Sequence, residues 1–80
     1  MTRILYVASA GSSDPTRASL PFHLAVNGAL EAGYQVDIVL AGDATEMLNA
    51  DVARDVRGVG IPPMTELLAK VREKEIALHV

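Results

Sequence analysis

Cysteine is absent from this chain of 80 residues, and its absence excludes disulfide frameworks, thiolate nucleophiles and zinc-cysteine sites built from these residues. Positive charge is scarce as well: seven Lys and Arg stand against ten Asp and Glu, a net charge of −3. No basic stripe remains to neutralise a run of phosphates, so neither DNA nor RNA is an expected partner. Long apolar runs are missing too, and nothing approaches the ~20 residues of a transmembrane helix. No membrane association is therefore expected. His23 and His79 are the only histidines, and no acidic or sulfur ligands share metal-site spacing with them, so no metal site is expected. There is no internal repeat, low-complexity tract or linker.

What is present describes a small globular protein. Half of the residues are apolar and 21% are charged, which is neither a disordered nor a membrane composition. The length allows one domain, residues 1–80, with a thin core. The opening "MTRILYVASA" has an Arg before an apolar run ending in small residues, as a signal peptide does. That run is too short for a signal core and has strand character, so cytoplasmic residence is the expectation.

"RILYVAS" is continuous enough, through Ile4, Tyr6 and Val7, to predict a central parallel strand buried on both faces. "AGSSDPT" breaks it, with Asp14 placed as a helix N-cap and Pro15 in the first turn. The helix that follows closes at Gly33, where a left-handed residue costs glycine little. Pro21 lies well inside that helix, so either the helix kinks there or it starts later than Asp14. "QVDIVLAG" is a second strand, followed by Asp43 and Glu46 at capping-box spacing. "EMLNADVARDV" predicts a short helix and a further turn. In "GVGIPPMTELLAKVREKE", Pro62 and Pro63 start a helix whose Met64, Leu67, Leu68 and Val71 recur at helical spacing. Lys70, Arg72 and Lys74 lie near its C-terminus, where the dipole favours cations. Finally Ile76, Leu78 and Val80 alternate with Ala77 and His79 as in a half-buried strand. The order strand, helix, strand, helices, strand predicts an α/β fold on a parallel sheet with right-handed crossovers.

On the first helix, Ala18, Phe22, Ala25, Ala29 and Ala32 form one small-residue stripe suited to close packing on a sheet. The opposite face carries His23, Asn27 and Glu31, with Leu20 and Leu24 among them. Two readings of Leu20, His23, Leu24 and Asn27 stand: ordinary surface variation, or a subunit contact that buries surface the thin core does not.

In open parallel sheets, ligands bind beyond the carboxyl ends of the strands where connections diverge. Those ends offer Gly11, Ser12, Ser13 and Asp14 after the first strand and Gly42 and Asp43 after the second. With the first strand central and the third beside it, the crevice falls between the first loop and whatever follows Val80. The first loop reads as a helix-capping turn, as a phosphate cradle, or as part of a small polar pocket shared between subunits. A cradle is disfavoured because no lysine follows as in a P-loop, no G-x-G-x-x-G opens the helix, and Asp14 repels anions. Asp43 reads as a cap rather than a base. Ser12 and Ser13 lie in a plain turn, not a G-x-S-x-G elbow, so these residues do not compose an enzyme.

Three segments in order, "DPTRASLPFHLA", "EAGYQVDIVLAGDA" and "GIPPMTELL", resemble the DsrE/DsrF-like family, which includes TusD-type sulfur-relay subunits. The resemblance covers nearly the whole chain. It implies a three-layer, flavodoxin-like fold, trimeric or hexameric homo-oligomers, a sulfur-carrier protein as partner, and persulfide transfer without a cofactor. In many members, the strand similar to "IALHV" runs into a cysteine-bearing segment, often Cys-Gly-x-Cys. The resemblance therefore implies that these residues are the first two-thirds of a longer domain, with a cysteine past Val80 emerging beside Gly11 to Asp14. Some members lack that cysteine, and for those the alternative is a non-enzymatic small-ligand or assembly module. A nucleotide-binding domain using the loop Ser12 to Thr16 is a third reading.

Overall fold

The computed structural model describes residues 2–80. Strand β1 (Arg3–Ala8) leads through a turn into helix α1 (Pro15–Leu24), which runs on as a wider π-helical turn, Ala25–Ala29, before strand β2 (Gln35–Leu40). A 3₁₀ helix (Gly42–Leu48), a short helix α2 (Ala50–Ala53) and helix α3 (Met64–Glu73) then precede strand β3 (Ala77–His79). The alternation of strands and helices is the one expected.

Local chemistry explains most of the boundaries. Asp14 caps α1, its side chain accepting the Arg17 amide at 3.2 Å, with Pro15 in the first turn. The helix therefore starts where Asp14 places it and runs through Pro21 rather than beginning later. Beyond Leu24 the bonding widens, with the Leu30 amide on the Ala25 carbonyl at 3.0 Å, which rotates later side chains relative to a regular helix. Val26 is thereby buried beside Ala25 and Ala29, whereas Ala32, expected in the stripe, is exposed. Gly33 ends the segment at φ 93°. On α3, Met64, Leu67 and Val71 are buried and Leu68 is half-buried, as the spacing predicts.

The sheet departs from expectation in its order. Its strands lie β1-β2-β3, all parallel, with Tyr6 level with Ile38 and Ile38 level with Leu78. The second strand is central, and β1, expected there, is an edge among the described residues. Nor is β1 buried on both faces. Ile4, Tyr6 and Ala8 point with Val36, Ile38, Leu40 and Leu78 toward the helices, while Leu5 and Val7 on the other face are 57% and 61% exposed. Right-handed crossovers account for this: a parallel sheet that adds strands in one direction puts every connection on the same face. The described residues thus form two layers, with one core between sheet and helices.

That core is built around Phe22, Ile38, Leu40, Met64 and Leu67, all essentially withdrawn from water. Ser19, the one buried polar side chain among the described residues, is satisfied by its Oγ donating to the Pro15 carbonyl at 2.8 Å. On the bare face, Asp37 sits on the central strand within 3.6 Å of the Arg3 guanidinium, which offsets the cost of a carboxylate among apolar neighbours.

Candidate functional site

Because β1 and β2 are neighbours, the loops leaving their carboxyl ends meet. The Gly11 to Asp14 turn closes on itself, the Asp14 amide donating to the Gly11 carbonyl at 3.1 Å. Above it stands the first part of the 3₁₀ helix with Gly42 and Asp43. Gly11 is buried against this helix, and a Cβ there would collide with Glu46 Oε1 and the Asp43 carbonyl. Glycine is required at this position by close approach, not by backbone conformation.

Glu46 is the residue that organises the site. Its carboxylate accepts the Ser12 hydroxyl at 2.9 Å and the Ser12 amide at 3.3 Å. The expected capping box is thus not formed. The 3₁₀ helix begins after Ala41 with no side-chain cap, and Glu46 turns outward to the neighbouring loop. Thr45 instead turns back within the segment, its Oγ1 donating to the Gly42 carbonyl at 2.8 Å. The donors that a phosphate would use on the Ser12 turn already hold a carboxylate, and Asp14 and Asp43 add further negative charge nearby. The geometry is that of a loop-to-loop latch, not an anion cradle. Ser13 is exposed, and no side-chain hydrogen bond involving it is found among the described residues.

The proposed crevice between the first loop and the end of β3 is not formed. With β2 between them, β3 lies two strand spacings, about 9.5 Å, from β1. A residue following Val80 would leave beside the end of β2 rather than beside Gly11 to Asp14. Among the described residues, the order β1-β2-β3 also contains no point at which strand order reverses, the feature that creates a ligand crevice in such sheets.

The α1 residues form a second polar group. Lys70 Nζ donates to Asn27 Oδ1 at 2.6 Å, and Asn27 Nδ2 lies 3.1 Å from His23 Nδ1. Lys70 fixes which way the amide points, so Asn27 donates to Nδ1 and the neutral imidazole carries its proton on Nε2. His23 and Asn27 are half-buried between α1 and α3, while Leu20 and Leu24 beside them are 40% and 48% exposed. Sequence spacing placed His23 and Asn27 on one face but gave no sign of Lys70, which lies 43 residues from Asn27.

Two apolar grooves lie elsewhere, both along α3. One, of about 340 Å³, runs between the 3₁₀ helix and β3, lined by Leu48, Leu68, Ile76 and Leu78; the other, of about 220 Å³, lies between α2 and α3. Arg72 borders both. Nothing in the sequence pattern singled out this region.

Among the described residues, no three His, Asp or Glu side chains are placed to share a metal ion, and no buried side-chain nitrogen or oxygen lacks a hydrogen-bond partner. No helix among them is long and apolar enough to cross a membrane. Comparison with protein-family models, with curated proteins and with solved structures finds no match to this chain.

Proposed function

We propose that this chain is the scaffold of a DsrE/DsrF-like subunit: its own residues serve assembly, and sulfur relay is a reaction of the protein or complex to which it belongs. The observation that carries the reading is where the resemblance falls. Ser19, Phe22, Ile38, Leu40, Met64 and Leu67, among the most completely buried side chains, all come from the three resembling segments. What is shared is therefore the architecture, and architecture alone leaves the activity to be argued from a site. On this reading the bare sheet face, with Leu5 and Val7, is covered by a further layer that completes a flavodoxin-like sandwich, and Leu20 and Leu24 contribute to a homo-oligomeric contact.

Persulfide transfer is an exchange in which an acceptor thiolate attacks the outer sulfur of a donor persulfide. The donor S–S bond breaks, a new S–S bond forms on the acceptor, and the donor leaves as a thiolate. With no cysteine in these residues, the accepting thiolate of this proposal lies outside them, elsewhere in the same protein or on a sulfur-carrier partner. The test is intact-mass spectrometry of the protein as its own cells make it, before and after incubation with glutathione persulfide. Gain of one sulfur atom, reversed by dithiothreitol, is the expected result. A natural protein without cysteine would remove relay by this subunit and leave the assembly role.

A further inference from the structure

The segment after α1 holds a glycine that the fold of the chain does not use. Gly28 lies exposed in the π-helical turn, is not among the residues with positive φ, and a Cβ there would meet nothing within 4 Å. Glycine is the poorest helix former after proline, yet neither backbone conformation nor crowding within the chain calls for it here. What it leaves is a hollow on the outer surface of the helix. The exposed Leu20 and Leu24 precede it at four-residue steps, the spacing of a ridge along a helix. A four-residue step overshoots an α-helical turn and falls short of the wider π turn, so the drift from Leu20 to Leu24 is reversed at Gly28. The three positions therefore share one outward face.

That face is balanced about Leu24. Leu20 stands four residues before it and Gly28 four after, a projection and a hollow. Arg17 stands seven before and Glu31 seven after, a cation and an anion, both exposed. Glu31 belongs to no ion pair among the described residues, and Arg17 meets Asp14 through Nε alone, at 3.6 Å, which leaves its terminal nitrogens free. The hydrogen bonds from Lys70 to Asn27 and from Asn27 to His23 keep these polar groups turned to one another beside the ridge.

We infer that α1 and its π-helical turn make an isologous contact with the same segment of a second copy, antiparallel and centred on Leu24. Leu20 of each copy enters the hollow at Gly28 of the other, the two Leu24 side chains pack at the two-fold axis, and Arg17 of each copy faces the Glu31 end of the other. A surface that carries both members of each complementary pair at equal distances from one residue matches itself after a two-fold rotation. Parallel pairing would set Arg17 against Arg17 and Glu31 against Glu31 and leave the hollow empty. An unrelated partner would need a projection, a hollow and charges that this ridge already supplies. The inference rests on the assembly part of the proposed function, whose partner, direction and register it specifies, and not on sulfur relay.

The test exploits the lack of cysteine, which makes one introduced thiol unambiguous. Leu24→Cys is expected to yield a disulfide-linked dimer under mild oxidation. Leu20→Cys alone is not, because its two thiols would lie about 12 Å apart along the helices, but a mixture of Leu20→Cys and Gly28→Cys chains is. By analytical ultracentrifugation, Gly28→Leu is expected to weaken the dimer about tenfold or more, since it fills the hollow. Its urea midpoint as a monomer should be unchanged or higher, because leucine is the better helix former. Arg17→Glu and Glu31→Arg are each expected to weaken the dimer about threefold to fivefold, and the double variant to recover it. Undiminished assembly of Gly28→Leu, or linking of Leu20→Cys to itself in place of Leu24→Cys, overturns the inference and leaves assembly through another face standing. A chain that sediments as a monomer at every concentration overturns both.

Discussion

Lys70 Nζ and Asn27 Oδ1 lie 2.6 Å apart, joining α3 to the π-helical turn that follows α1. The bond spans 43 residues of sequence and sits half-buried, where a charge-assisted hydrogen bond is stronger than on an open surface. It also orients the Asn27 amide toward His23. Two helices that rest on the sheet side by side are thus held by a polar link as well as by the core beneath them.

Removing either partner should destabilise the chain by about 1–2 kcal/mol, and removing both should cost less than the sum. A urea double-mutant cycle on Asn27→Ala and Lys70→Ala measures this. Strict additivity would show that the two side chains do not act together. His23 should show its neutral ring proton on Nε2 in nitrogen-correlated NMR at alkaline pH, and Asn27→Ala should relax that preference.

The latch on the first loop gives a different signature. Glu46→Ala should cost about 1 kcal/mol and accelerate hydrogen exchange at Ser12, because the carboxylate there satisfies two donors. Gly11→Ala should cost more, since its Cβ meets both Glu46 Oε1 and the Asp43 carbonyl. In the double variant Gly11→Ala, Glu46→Ala the cost should fall below the sum, as one of the two clashes is gone.

The same carboxylate makes the Ser12 turn a poor anion site. Calorimetry with inorganic phosphate or FMN is expected to give no binding heat. Saturable heat with either, lost on Ser12→Ala, would restore the nucleotide-binding reading.

Two surfaces compete as assembly contacts, and charge insertion separates them. Leu20→Glu or Leu24→Glu should shift the mass seen by light scattering toward smaller species, at about 2–5 kcal/mol per buried unpaired charge. Leu5→Glu and Val7→Glu pose the same question for the bare sheet face. Whichever pair leaves the mass unchanged marks a face that remains wet in solution.

Phe22 is the largest of the fully buried side chains, and Phe22→Ala should cost about 3–5 kcal/mol. Chains of this length have roughly 4–12 kcal/mol in total, so the loss is about a quarter of the stability or more, and the urea midpoint followed by circular dichroism should fall accordingly.

The candidate site was only partly legible. The Asp14 cap, the Pro15 start and the spacing of Met64, Leu67 and Val71 depend on neighbours within a turn or two, and each can be read from the sequence. Glu46 was visible as part of a local capping pattern, yet its partner proved to be Ser12, 34 residues away. A glutamate side chain takes whichever donor the fold presents, and spacing alone does not distinguish a near amide from a distant hydroxyl. Arg72 was legible only as a cation near a helix C-terminus, and the groove it borders was not legible, because such a cation is ordinary until its surroundings are known.

By itself the sequence determined that strands and helices alternate, where most of them begin, that the strands would be parallel, and which chemistry these residues lack without a thiol. Hydrophobic content alone assigned the centre of the sheet to β1, because "RILYVA" is the less interrupted run. The tertiary structure gave that place to β2, where Asp37 is tolerated beside Arg3. Strand order is a choice among long-range pairings of similar local merit. It decides which face is covered, which edges are open, and therefore where this protein can be met by another.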